Sequence, residues 1–145
     1  MKIAWGRVLV SGILFTIISM IVRQIESILT MKYYLMPQYF GVWSKLMMPN
    51  AGPPPMSFFL ISLLFSFITG IGLAIFFQFI KEGLSRAFWP RVFGFFGISF
   101  GLGFLFFSLT TYLMINLPLA LQASWLVSSA IVLFLSGIVY AKIIK

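Results

Sequence analysis

The chain contains no cysteine, no histidine and no aspartate. Without cysteine there is no disulfide and no thiolate chemistry, and without histidine there is no ordinary zinc site and no His-ligated haem. The acidic residues number two, Glu26 and Glu82, against ten Lys and Arg, for a net charge of +8. No Ser-His-Asp arrangement, paired catalytic carboxylates or phosphate-binding loop can be assembled from this inventory. The glycines at 94–103 lie inside an apolar run and do not follow a strand, so they do not read as a nucleotide loop. The sequence therefore predicts a protein that is not an enzyme and carries no cofactor.

Charge of either sign is also scarce. Charged residues make up 8% of the 145, whereas a soluble domain carries about a quarter. Hydrophobic residues make up 61% and the mean hydropathy is +1.11. So few charges cannot cover a water-facing surface, so lipid must cover much of this one. The basic residues are scattered at the ends of apolar segments and form no patch, which argues against nucleic acid as a partner.

A membrane-spanning helix needs about 20 mostly apolar residues. Four runs qualify: 3–30, 56–80, 88–116 and 118–144. The expected fold is an all-α integral membrane protein, a single four-transmembrane-helix bundle over 1–145. Lys2 and Arg7 stand ahead of the uninterrupted apolar part of the first run, as they would in a signal peptide. No small-residue cleavage site follows, so the run reads as a retained first helix. Proline sets the breaks. Pro37, Pro49 and Pro53-Pro54-Pro55 cannot sit in a helix interior, and Pro118 suits the first turn of the last helix.

Basic residues orient such a bundle. Lys2, Arg7, Lys81, Arg86, Arg91, Lys142 and Lys145 fall on one side, and Arg23, Lys32 and Lys45 on the other. The expectation is a multi-pass protein of the cell membrane with both termini cytoplasmic. The loop 31–55 is aromatic, with Tyr33, Tyr34, Tyr39, Phe40 and Trp43. Pro37 would open a short helix in it, placing an interfacial segment between helices 1 and 2 where Trp and Tyr are favoured.

Helices in lipid associate through small and weakly polar residues. The first run offers Gly12, Thr16, Ser19, Arg23, Glu26 and Thr30, at alternating spacings of 4 and 3 that keep one helix face. The second offers Ser62, Ser66, Thr69 and Gly70. The third offers Gly94, Gly97, Gly101, Ser108 and Thr111, and the fourth Gln122, Ser129 and Ser136. Gly12, Thr16, Ser19, Ser66, Gly97, Gly101 and Ser129 are thus the expected helix-packing positions.

Arg23 and Glu26, three residues apart, are placed to pair along the helix. Ionisable residues inside a membrane are costly and mark candidate sites. Tyr33, Tyr34, Trp43 and Lys45 from the loop, with Tyr112 and Asn116 from the far turn, are the expected neighbours of this candidate polar site. Glu82 reads as a solvated partner of the basic turn around it. The eight methionines form no Met-x-x-Met ladder, and no metal site is expected.

Two functions lead, ahead of a lipid-directed enzyme at the outer leaflet that would have to use Glu26 with Lys32, Lys45 or a tyrosine. One is a non-catalytic accessory, assembly or scaffold component that packs through small-residue helix faces. The alternative is a small transporter or channel using the polar face of helix 1 with Glu26. Expected partners are membrane lipids and either a second copy of the chain or a larger membrane complex.

Overall fold

The computed structural model describes residues 3–50 and 52–144, which leaves Lys2 and Lys145 outside the described residues. Four helices are long and apolar enough to cross a membrane: α1 (Trp5–Tyr34), α2 (Met56–Ile80), α3 (Phe88–Met114) and α4 (Leu119–Ile143). No strand occurs among the described residues. On these grounds the chain is a membrane protein. Its helices satisfy their backbone hydrogen bonds internally, which is the requirement for crossing hydrocarbon.

The boundaries follow local chemistry. Pro55 occupies the N-cap of α2 and Pro118 that of α4. α1 runs through Met31–Tyr34, one turn beyond the expected end, because nothing in that stretch breaks a helix before Pro37. Tyr33 and Tyr34 therefore belong to the helix and not to the loop. Met36, restricted by the following proline, is extended. Pro37 then opens a 3₁₀ helix, Pro37–Val42. α3 carries a π-helical turn at Phe104–Ser108, between regular segments Phe88–Gly103 and Leu109–Met114.

The helices surround their contacts in the order α2, α1, α4, α3. α1 packs against both α2 and α4, and α4 packs against α3. The α1–α2 contact is close because of two glycines. A Cβ on Gly70 would lie 2.8 Å from Phe15 Cβ and 3.0 Å from the Gly12 carbonyl, and one on Gly12 would lie 2.9 Å from Ile71 Cγ1. The core lies toward the end where α1 begins and α4 finishes, here the terminal end. It centres on Val8, Phe77, Phe95 and Tyr140, with ring centroids of Phe77, Phe95 and Tyr140 5.3–6.0 Å apart. The Tyr140 hydroxyl donates to the Gly70 carbonyl at 3.2 Å, which gives the buried phenol the partner it needs.

At the opposite end α3 has little helix around it. Phe106, Phe107, Leu113 and Met114 are 64–78% exposed, an exposure that suits lipid contact. Gly97 and Gly101 are not at a seam within the bundle as the spacing predicts: nothing lies within 4 Å of a Cβ added at either. The buried positions of α3 are Val92, Phe95 and Ser99. Gly97 and Gly101 each sit two residues on from Phe95 and Ser99, about 200° around the helix, so they face away from α4.

Candidate functional site

Measured from Arg7 at 1.5 Å per residue, Arg23 lies about 24 Å and Glu26 about 28 Å along the axis of α1. That puts them toward the far edge of a hydrocarbon layer about 30 Å thick. The position is one where an ionised group is still partly desolvated, so its hydrogen bonds matter.

Each charge is met by α4. Arg23 donates from Nη1 to Ser128 Oγ at 3.2 Å and from Nη2 to Ser129 Oγ at 3.0 Å. Glu26 Oε1 accepts from Ser124 Oγ at 2.6 Å and from Thr30 Oγ1 at 2.9 Å. The expected direct pair between Arg23 and Glu26 is not formed: no ion pair joins them among the described residues, and each side chain turns to serine hydroxyls instead. Three residues apart, the two side chains can both lie along the seam with α4, where the serines recur at the matching height. Ser128 accepts from Arg23 and donates its own proton to Trp125 O at 3.1 Å, whereas Ser124 has one proton to divide between Glu26 Oε1 and Leu121 O, 2.8 Å away. Thr30 Oγ1 likewise lies 2.8 Å from Glu26 O. Such back-bonding is the usual resting place for hydroxyls in apolar helices, and the charged pair draws on hydroxyls that would be satisfied without it.

The arrangement continues upward as an aromatic group. Trp125 Nε1 donates to the Tyr34 hydroxyl at 2.7 Å. Trp43 folds back from the loop and donates from Nε1 to the Tyr34 carbonyl at 3.2 Å. The ring centroids of Tyr34 and Trp43 are 4.7 Å apart, and Trp43 and Trp125 meet edge-on at 6.2 Å. Trp43 thereby caps the end of α1 and ties the loop to α4.

The other expected neighbours stand apart from this cluster. Tyr33 carries Lys32 Nζ 5.0 Å above its ring. Lys45 and Asn116 are exposed, and Tyr112 is exposed on the outward half of α3. Of the packing positions, Gly12 and Ser19 are buried, Thr16 is half-buried and donates to Gly12 O at 2.9 Å, and Ser66 is half-buried on α2. Ser124, Trp125 and Ser128 were not legible as site residues. A heptad from Gln122 selects Ser129, which does receive Arg23, but it misses Ser128, one residue or about 100° away, and Ser124, which also meet α1.

Two surface grooves among the described residues are lined by neither Arg23 nor Glu26. One is an apolar groove between α1 and α2 lined by Ile13, Thr16, Ile17, Leu63, Leu64 and Phe67. The other lies at the α2–α3 turn. No group of three or more potential metal ligands occurs among the described residues. Comparison with protein-family models, curated proteins and solved structures finds no match.

Proposed function

We propose that this chain is a non-catalytic multi-pass protein of the cell membrane that acts as an assembly or scaffold component, with its terminal end in the cytoplasm. One observation carries the reading: Arg23 and Glu26 of α1 are engaged by serines of α4 and so serve to join two helices. Acid–base chemistry would rest on Glu26 alone, with no second carboxylate near it. The outward Gly97–Gly101 face supports the assembly role, since small residues let another membrane helix approach closely. The excess of basic residues at the terminal end supports the orientation.

The test is site-specific photocrosslinking from position 97 in native membranes. Crosslinks to another membrane helix are expected. Adducts with lipid alone, from a protein that is monomeric on mild extraction, would overturn the reading.

A second reading, a small transporter, draws on one detail. Both hydrogen bonds to Glu26 fall on Oε1, and Oε2 has no protein donor among the described residues. Reconstituted vesicles distinguish the two. Cation flux above that of empty vesicles, abolished in Glu26→Gln, would favour transport over assembly.

A further inference from the structure

The α2–α3 turn is built differently from the rest of the surface. Lys81, Glu82, Leu84, Arg86 and Arg91 line a groove of about 400 Å³ there. The fold thus gathers basic residues that look scattered in the sequence: Lys81, Arg86 and Arg91 stand with one carboxylate, Glu82, around the side chain of Leu84. In a chain with so few charges, this is a concentration of positive potential in a concave site, which raises the local concentration of anions.

The two arginines have separate roles. Arg91 is committed to the turn itself: its Nε donates to Ser85 O at 2.9 Å and its Nη2 to Arg86 O at 3.3 Å. These bonds tie the turn onto the first turn of α3 and fix the groove's shape. Arg86 is exposed, and its guanidinium donates to no protein acceptor among the described residues. It is a fork of donors left open beside the groove, suited to bidentate contact with a phosphoryl or carboxylate group.

Two further observations fix the kind of anion. α3 starts at Phe88 after Ala87, and no side chain caps it. The Phe88 and Trp89 amides and the helix dipole favour a negative group there, Pro90 having no N–H to add. On the helix ends that flank the turn, Phe79 of α2 and Trp89 and Phe93 of α3 are exposed. Exposed aromatic rings beside basic residues at a helix end place the groove at headgroup depth. A ligand meeting all of these has a phosphoryl group at the membrane surface with an apolar chain running along the helices.

We propose that the α2–α3 turn is a binding site for the phosphoryl headgroup of an anionic membrane lipid, with Arg86 as the direct contact and Arg91 as the residue that holds the turn in shape.

The experiment uses the full chain purified in neutral detergent. Short-chain phosphatidylglycerol, short-chain phosphatidylcholine and inorganic phosphate are each titrated while the thermal unfolding midpoint is followed. Phosphatidylglycerol is expected to raise the midpoint with a lower apparent Kd than phosphatidylcholine, and inorganic phosphate is expected to do little. Arg86→Gln, at an exposed side chain with no protein bond, should fold normally and weaken phosphatidylglycerol about fivefold, the equivalent of about 1 kcal/mol per basic residue near a membrane surface. Lys32→Gln, at the opposite end, should leave that Kd unchanged. Equal response to both lipids, an unaltered Kd in Arg86→Gln, or a response to inorganic phosphate matching that to phosphatidylglycerol would each overturn the proposal.

Discussion

Ser124 Oγ lies 2.6 Å from Glu26 Oε1, so α4 presents a hydroxyl donor to the one carboxylate within the membrane-spanning helices. Glu26 is 9% exposed. A carboxylate this enclosed stays tolerable only where donors replace water. The same two helices meet again at Arg23 with Ser128 and Ser129, and at Tyr34 with Trp125. The charges, hydroxyls and indole together form a ladder that fixes the register of α1 against α4.

The serines that receive Arg23 are expected to act as a pair. Ser128→Ala with Ser129→Ala removes both protein acceptors of the guanidinium. The double variant should lose about 1 kcal/mol in unfolding free energy, in line with interhelical hydrogen bonds measured in membranes. Either single variant should lose less, because the remaining serine still accepts. Reversible unfolding in lipid–detergent mixtures measures both.

Glycine substitutions should separate the two kinds of small-residue face. In Gly70→Ala the new methyl meets the Gly12 carbonyl and Phe15 Cβ, which cannot move without moving α1. Overpacking of this kind costs about 1–3 kcal/mol. Gly97→Ala meets nothing within 4 Å and, alanine being the better helix former, should leave stability unchanged or raise it by up to about 1 kcal/mol. Thermal unfolding of the two variants side by side checks the contrast.

Trp43→Ala should free the loop while leaving the bundle folded. The substitution removes the bond to the Tyr34 carbonyl and the ring contacts with Tyr34 and Trp125. Faster amide exchange over 37–48 is expected, along with faster tryptic cleavage at Lys45, and α1, α2 and α4 should retain their protection.

The spans themselves were legible because hydropathy and proline act locally. Residues 56–80 match α2 at both ends, and Pro118 stands where the last helix begins. The end of α1 was misplaced by one turn because aromatic residues suit both an interfacial loop and a helix end. The π-helical turn at Phe104–Ser108 has no local marker in a stretch that is apolar up to Ser108. Arg23 and Glu26 stood out as charges in an apolar run, but their partners did not. Which face of α4 meets α1 depends on the packing of two helices about a hundred residues apart in sequence, and serines occur on more than one face of α4. Gly97 and Gly101 show the same limit: their spacing signals a close-packing face without saying whether the partner lies inside or outside the bundle.

Glu26→Gln should fold with stability within about 1 kcal/mol of the parent. The amide carbonyl can still accept from Ser124 and Thr30, and a neutral group costs less to desolvate than a charge. Chemical denaturation in a fixed detergent–lipid mixture tests this. A loss of several kcal/mol would mean that the charge itself holds the helices.

The most direct test of the α1–α4 ladder is a double-mutant cycle on Glu26→Ala and Ser124→Ala, read as unfolding free energy in a lipid environment. The ladder predicts a coupling of about 1 kcal/mol, within the range of residues in direct contact. A coupling indistinguishable from zero would contradict it, because Ser124 would then be satisfied by the Leu121 carbonyl alone and Glu26 would play no part in joining the two helices.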